Sequence, residues 1–262
     1  MAVDNYQAKK FTIDGSEIVN DNLTVEQALQ ININNSPFTI TMRTPGNDDE
    51  LITGLLYSED IYRKNISLDI KYHDTDDNIT KASIKIEDKE LGKGYLNSRN
   101  ILSVSSCGIC GKKELDELVS TNQKIEDFTI SKTNLLHMFE QMKKGQTTFH
   151  QSGGSHAAAA FNKNGDLLTI MEDIGRHNAV DKVIGSLILQ NKVKEAKCLV
   201  VSGRISYEIV TKTFAAKIGI LAAVSAPSSL AVDFAKELGI TLLGFCRDTK
   251  ATCYANSQRI TN

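Results

Sequence analysis

The chain has 262 residues, 41% of them hydrophobic and 24% charged, which is an ordinary composition for a globular protein with one large or two small domains. Its formal net charge of -2 argues against nucleic acid as a partner, although it leaves room for a local basic pocket. The N-terminus lacks the pattern of a secretory signal, and the apolar stretch 218–227 is too short to cross a bilayer. We therefore expect a cytoplasmic protein without a membrane partner, whose cysteines stay reduced.

The first third of the chain predicts a mixed region of strands and one helix. Two β-hairpins are expected from alternating apolar residues, one joining residues 29–33 to 38–42 and one joining residues 67–72 to 81–87. Asn47 or Asp48 can cap the helix that follows the first hairpin, and acidic residues occupy its first turn.

Two cysteines, Cys107 and Cys110, stand two residues apart in a polar segment with a glycine after each. Such a pair is half of a zinc site, a redox couple, or a nucleophile with a neighbour that tunes or resolves it. The sequence has no second Cys-x-x-Cys to complete a zinc site, and a thioredoxin-like couple belongs near the start of its fold. Lys112 and Lys113 favour a thiolate. We therefore favour a nucleophile on a mobile loop over a packed pair of core residues.

The C-terminal half predicts an α/β domain. Helices are expected first at 112–120 and 132–144, the latter ending at Gly145. Strand candidates then lie at 166–171, 198–202, 220–225 and 240–245, and they alternate with helical stretches at 179–190, 207–217 and 230–238. This alternation predicts crossover units and a mainly parallel sheet, whose ligands bind where strands end and loops begin.

Segment 172–182, Glu-Asp-Ile-Gly-Arg-His-Asn-Ala-Val-Asp-Lys, follows one of these strands. A solvated turn with a helix cap would account for its polarity. It also offers complementary donors and acceptors at a strand end, on Asp173, Arg176, His177 and Asp181. We favour a ligand site over the solvated turn.

Three further segments are weaker ligand candidates. Residues 152–160 contain two glycines, His156 and four alanines, and predict either a helix packed on a sheet or a helix N-terminus that approaches an anion. Residues 202–206 form a turn resembling a phosphate cradle around Arg204, without the spacing of a Walker loop. Residues 245–250 end the last strand with groups that suit a base and a phosphate.

The motifs together resemble those of the FdhD/NarQ family, the formate dehydrogenase accessory sulfurtransferases. The resemblance rests on residues 106–111, 153–158, 172–182 and 202–204, and residues 43–51 are similar to the N-terminal signature of that family. The matching segments span most of the chain in the same order.

The resemblance implies a sulfurtransferase that accepts sulfane sulfur from a cysteine desulfurase. The sulfur would be held as a persulfide on Cys107, with Cys110 in an assisting or resolving role. It would be delivered to the molybdenum (or tungsten) bis(molybdopterin guanine dinucleotide) cofactor that formate dehydrogenase needs for activity. The family also implies a homodimer.

The cofactor is expected at the end of the last strand, with GDP as a mimic of its nucleotide ends. The residues implied there are Phe245, Cys246, Arg247, Asp248, Thr249 and Lys250. Arg176, His177 and Arg204 are secondary candidates for cofactor binding, and no metal site is predicted.

Family members also resemble cytidine deaminases in fold, so we expect a C-terminal α/β domain of the cytidine deaminase-like class. Deaminase chemistry needs a His-x-Glu or Cys-x-Glu motif followed by Pro-Cys-x-x-Cys. Here Ala158 stands where the glutamate would be, and no cysteines follow Pro227 in that pattern. The scaffold is therefore expected without its metal site.

The chain is thus predicted to comprise a mixed β/α region at 1–100, a Cys-x-x-Cys loop and helix at 101–130, and an α/β cofactor-binding domain at 131–262. Two alternatives remain open at this point. One is a non-catalytic chaperone that only binds the molybdenum cofactor, and the other is a dimer bridged by zinc between two Cys-x-x-Cys pairs.

Overall fold

A computed structural model describes residues 2–64, 68–75, 79–98 and 124–262. Cys107, Cys110 and the helix predicted at 112–120 lie outside these residues. The strands are β1 (Val3–Thr12), β2 (Gly15–Thr24), β3 (Gln27–Ile33), β4 (Ser36–Arg43), β5 (Ile70–Asp74), β6 (Thr80–Ile84), β7 (Ile130–Ser131), β8 (His156–Phe161), β9 (Leu167–Asp173), β10 (Cys198–Val201), β11 (Ile220–Ala223), β12 (Thr241–Arg247), β13 (Lys250–Ala255) and β14 (Ile260–Thr261).

The described α-helices are α1 (Asp48–Ser58), α2 (Lys93–Ser98), α3 (Lys132–Gly145), α4 (Thr147–Ser152), α5 (Arg176–Leu189), α6 (Tyr207–Ala215) and α7 (Ser229–Glu237). Two short 3-10 turns lie at Asp88–Glu90 and Ser257–Arg259. Within the described ranges, no helix has the length and apolar character needed to span a membrane.

The N-terminal region contains a four-stranded sheet in the order β4-β3-β6-β5. Both predicted hairpins are confirmed, because β3 pairs antiparallel with β4 and β5 pairs antiparallel with β6. Leu29, Ile31 and Ile33 alternate along β3 and are fully buried, and they share a core with Leu51 and Leu56 of α1. The period-two pattern of β3 therefore places one face of the sheet against the predicted helix.

An additional hairpin precedes this sheet, and the sequence analysis did not predict it. Strands β1 and β2 pair antiparallel over ten residues, and most of their side chains are exposed. The hairpin contacts the rest of the chain at α4, where the hydroxyls of Thr24 and Ser152 lie 2.6 Å apart. Its strands lack a continuous apolar face buried in the core, and so they lack the signal on which sequence prediction of strands relies.

The C-terminal half forms a six-stranded sheet in the order β13-β12-β11-β10-β8-β9. Within this sheet, β10 pairs parallel with β11, and β11 pairs parallel with β12. Helices α6 and α7 form the crossovers between these three strands. Strands β8 and β9 form an antiparallel hairpin at one side, and β13 is antiparallel at the other. The mixed α/β class is confirmed, but the prediction of a mainly parallel sheet is correct only for its centre. Apolar cores cover both faces of the sheet.

The alanine-rich segment was predicted as a helix, and this prediction is wrong. Residues Ala157 to Ala160 lie in β8 between β9 and β10, and each is at most 2% exposed. Alanine favours helices in isolation, but pairing with strands on both sides outweighs that weak preference. The small side chains suit a central position in a sheet covered by helices on both faces.

Helices α1 and α5 cross at very short range, and this contact joins the N-terminal region to the C-terminal sheet. A Cβ added at Gly54 would overlap the carbonyl oxygen of Asp181, and one added at Gly185 would overlap that of Glu50. Glycine is therefore required at both positions for the two backbones to approach.

Buried polar contacts also join the N-terminal region to the C-terminal sheet. The Lys182 ammonium lies 2.8 Å from the Asp173 carboxylate, and both side chains are essentially inaccessible to solvent. Lys182 also donates to the Thr44 carbonyl at 2.9 Å, and the Thr44 amide donates to Asp173 at 3.1 Å. Asn178 donates to the Met42 carbonyl at 2.7 Å. Because each group is paired, the desolvation cost of burying these charges is offset.

We expect Gly54→Ala to destabilise the protein by about 3 kcal/mol, because the methyl group forces α1 away from α5. Denaturant unfolding measures the change. Gly145→Ala is the matched control, since its Cβ would meet only the flexible end of Ile170 at 2.8 Å. Equal stability of the two variants would show that the helices are not in close contact.

Candidate functional site at the carboxyl edge of the C-terminal sheet

The loops that follow β10, β11 and β12 lie side by side at one edge of the sheet. The Ile205 amide donates to the Ala226 carbonyl at 3.1 Å, and the Phe245 amide donates to the Ser225 carbonyl at 3.1 Å. Strand β9 ends and β8 begins at this same edge, because β8 runs antiparallel to both of its neighbours. The structure thus brings the predicted segments 172–182, 202–206 and 245–250 to a single edge, which is where α/β sheets bind ligands.

At one end of this edge, His156, Arg176 and Arg204 form a group that we call the cationic corner. His156 is the first residue of β8, Arg176 begins α5, and Arg204 lies in the turn after β10. A Cβ at Gly203 would lie 3.2 Å from His156 Nδ1 and 3.4 Å from the Arg176 Cβ. The glycine therefore lets the turn that carries Arg204 approach the other two residues closely.

The electrostatics of the corner favour an anion. Burial lowers the pKa of His156, and the positive charges of Arg176 and Arg204 lower it further, while Asp173 opposes them. The imidazole is therefore neutral near pH 7. The Arg176 Nε is buried without a hydrogen-bond partner among the described residues. A buried, unpaired guanidinium donor close to a second arginine is suited to binding an anionic ligand.

His177 lies beside the corner and is occupied by protein contacts. Its Nε2 lies 3.0 Å from the Ser206 hydroxyl and 4.0 Å from the Glu208 carboxylate. Burial lowers the pKa of His177, and Arg176 and Lys212 add to the effect, while Glu208 opposes it. The side chain of this predicted ligand residue therefore contacts the turn that carries Arg204.

At the other end of the edge, β12 finishes in an irregular segment that exposes an aromatic ring. The pairing of β12 with β13 shifts register between Gly244 and Arg247, as in a β-bulge. Phe245 lies in this segment with a φ of 54° and 44% of its surface exposed. A positive φ is unusual for a bulky residue and is characteristic of functional positions.

The rest of the predicted segment 245–250 divides into exposed and buried parts. Arg247, Asp248, Thr249 and Lys250 are exposed around the β12–β13 turn, and Arg247 Nε donates to the Val224 carbonyl at 3.2 Å. Cys246 differs, because its side chain is 2% exposed and burial raises the pKa of its thiol to about 12. A ligand at this edge would therefore meet the backbone of Cys246 rather than its side chain.

The acidic side chains of segment 172–182 are occupied by contacts within the protein. Asp173 is engaged by Lys182 and Thr44, and Asp181 accepts from Ser58 at 2.9 Å and pairs with Lys212 at 3.0 Å. Glu172 instead accepts from the first amides of α4 and from the Ser155 hydroxyl. These carboxylates make contacts within the fold, and Arg176 and His177 remain as the candidate site residues of the segment.

His156 was absent from the predicted cofactor-binding set. The sequence suggested it only as an anion contact at a helix N-terminus, and the structure places it at the start of a strand instead. The Ser202 amide donates to the Ala157 carbonyl, and the Ala157 amide donates to the Ser202 hydroxyl, each at 2.9 Å. These two bonds bring His156 beside Gly203, and local sequence does not reveal them. Among the described residues, no group of three His, Cys, Asp or Glu side chains is arranged to hold a metal ion.

The fold and the edge define an α/β protein with a polar site at the ends of parallel strands, equipped with cations at one end and an exposed aromatic ring at the other. Residues 24–261 match the FdhD/NarQ family, which is most of the chain. The chain therefore belongs to the FdhD/NarQ family, and the resemblance inferred from its motifs is confirmed.

Several proteins with similar sequences or folds are known. The chain is 40% identical over 246 residues to the Sulfur carrier protein FdhD of Nocardia farcinica, covering 92% of this chain and 88% of the relative. It is 41% identical over 225 residues to the protein of the same name from Saccharolobus solfataricus, covering 85% and 83%. A crystal structure of a proposed formate dehydrogenase accessory protein from Desulfotalea psychrophila aligns with a TM-score of 0.77 over 100% of both chains at 20% identity, which shows a shared fold.

We expect Arg204→Ala to raise the pKa of His156, because the substitution removes one of the two positive charges that oppose protonation of the imidazole. NMR titration of the histidine ring measures the shift. Arg247→Ala is the matched control, since it removes the same charge from the other end of the edge. If the pKa of His156 is unchanged in the Arg204→Ala variant, the Arg204 guanidinium of the unsubstituted protein does not lie at the corner.

Proposed function

We propose that the protein is a sulfurtransferase that delivers sulfur to a molybdenum bis(molybdopterin guanine dinucleotide) cofactor for formate dehydrogenase. Membership of the FdhD/NarQ family and relatives named as sulfur carriers support this function. The observation that carries it is the convergence of the cationic corner and Phe245 on one sheet edge, in a chain that also has a Cys-x-x-Cys motif. The cytoplasmic location and the homodimer stay predictions from the sequence.

The nucleotide ends of the cofactor combine a purine base with a diphosphate. An exposed aromatic ring stacks on a base of any sequence, which assigns the guanine to Phe245 in this proposal. Arg247 and Lys250 are exposed beside it and supply positive charge. The cationic corner lies two to four strands from β12, beginning at about 10 Å given the usual spacing of strands, and offers a second place for phosphate. GDP is therefore a suitable probe of the edge.

The sulfur chemistry is assigned to Cys107. Its thiolate attacks the outer sulfur of a persulfide on a cysteine desulfurase, a new S–S bond forms, and the cysteine thiolate of the desulfurase leaves. Cys107 then carries the outer sulfur as a persulfide. If Cys110 attacks the inner sulfur, a Cys107–Cys110 disulfide forms and hydrosulfide leaves towards the cofactor, so that the two thiols supply the two electrons.

We expect Cys107→Ala to abolish loading of sulfur, because no other residue of the motif is assigned as the attacking thiolate. Intact mass spectrometry after incubation with a cysteine desulfurase and cysteine detects one added sulfur atom per chain in the unsubstituted protein. Cys253→Ala keeps both motif cysteines and is the control. Full formate dehydrogenase activity with both motif cysteines replaced would instead support the non-catalytic cofactor chaperone.

We expect Phe245→Leu to weaken GDP binding by about fivefold to 150-fold, because stacking on an aromatic side chain contributes about 1–3 kcal/mol per base. Isothermal titration calorimetry measures the dissociation constant. Phe11→Leu is the matched control, since that ring is also exposed but lies near the tip of the N-terminal hairpin. Equal affinities for both variants would remove Phe245 from the site.

A further inference from the structure

Three of the helices in the described ranges begin after a serine, and one of these serines does not cap its helix. The Ser131 hydroxyl accepts from the Asn134 amide at 3.1 Å in α3, and the Ser228 hydroxyl accepts from the Ala231 amide at 3.2 Å in α7. Ser206 occupies the same position before α6, yet its hydroxyl accepts from none of the first amides of that helix. It lies 3.0 Å from His177 Nε2 instead.

This exchange of partners costs α6 a stabilising contact. A serine at the N-cap normally accepts a hydrogen bond from one of the free amides of the first turn, and losing this bond destabilises the helix. Local rules of this kind are most often broken at functional positions. The bond to His177 therefore calls for a role other than helix stability.

The bond joins the two elements that carry the arginines of the cationic corner. His177 follows Arg176 at the start of α5, and Ser206 ends the turn that contains Gly203 and Arg204. The relative position of the two guanidinium groups therefore depends on how the turn is held against α5.

The surroundings of His177 suit a neutral, bridging imidazole. The charged groups that face it are Arg176 on its own helix, Glu208 and Lys212 on α6, and Glu59 at the end of α1. Burial and the two cations lower its pKa, so one ring nitrogen donates and the other accepts at pH 7. Either arrangement of protons allows one hydrogen bond with the Ser206 hydroxyl.

We propose that His177 is a positioning residue that acts through Ser206 to hold the 202–206 turn, and so Arg204, in place for an anionic ligand. This inference rests on the proposed nucleotide-binding function of the edge. It differs from the expectation that His177 contacts the cofactor itself, because here the imidazole acts on the ligand indirectly, through the Ser206 hydroxyl.

A double-mutant cycle separates these two roles. GDP dissociation constants are measured by calorimetry for the full chain and for the variants His177→Ala, Ser206→Ala and the double variant. If His177 acts through Ser206, each single variant weakens binding about tenfold, and the double variant is no weaker than the singles. If the effects add, or if Ser206→Ala binds as tightly as the unsubstituted chain, the proposal is overturned.

Two controls exclude a general loss of structure. Ser131→Ala removes a cap at the opposite edge of the sheet, so it should lower the melting temperature without changing GDP affinity. Ser206→Ala should weaken GDP binding and leave the melting temperature nearly unchanged. His177→Gln retains an amide that can reach the Ser206 hydroxyl, and it should restore affinity relative to His177→Ala. A Ser206→Ala variant that loses stability like Ser131→Ala and keeps its affinity would contradict the positioning role.

A readout without ligand distinguishes failure of this inference from failure of the proposed function. The pKa of His156 reports how close Arg204 lies, because that guanidinium lowers it. His177→Ala and Ser206→Ala should both raise the pKa of His156 in NMR titrations, as Arg204→Ala does. If the unsubstituted chain does not bind GDP, the proposed nucleotide site is wrong. The positioning role is then tested by the His156 titration alone. An unchanged His156 pKa in both variants refutes it.

Discussion

The buried contact between Lys182 and Asp173 determines where the N-terminal region meets the carboxyl edge of the C-terminal sheet. Asp173 is the last residue of β9, and Lys182 lies two turns into α5, so their ion pair fixes the start of that helix against the end of the strand. Thr44 completes the contact from the N-terminal region. Removing one partner of such a pair typically costs about 3–5 kcal/mol, because the remaining charge stays buried.

Segment 172–182 therefore serves two purposes with one stretch of sequence. Its inward side chains, such as Asn178 and Asp181, bond to the N-terminal region and to α6. Arg176 and His177 lie at the first turn of the helix, where the chain leaves the sheet edge. The geometry of the corner is thus set by the same contacts that join the two halves of the protein.

Periodic elements with clear boundaries were predictable from the sequence, and elements defined by tertiary pairing were not. The two predicted hairpins, α1 and α3 follow local sequence patterns, and α3 is capped by Ser131 and ends at Gly145 as expected. Strand β8 was missed because its alanines favour a helix until β9 and β10 pair with them. The site segments were found by their polar residues at strand ends, but the neighbours of His156 depend on strand register. The cytidine deaminase-like fold stays a prediction.

The three cysteines of the C-terminal half bear on the sulfur transfer proposed for this protein. Burial raises the pKa values of Cys198, Cys246 and Cys253, so all three remain protonated thiols at neutral pH. Exchange with a persulfide proceeds through a thiolate, so these three thiols are poor competitors for the sulfur atom in the proposed transfer. The raised pKa of each thiol thereby lowers its reactivity towards sulfane sulfur and leaves the motif cysteines as the preferred acceptors in that proposal.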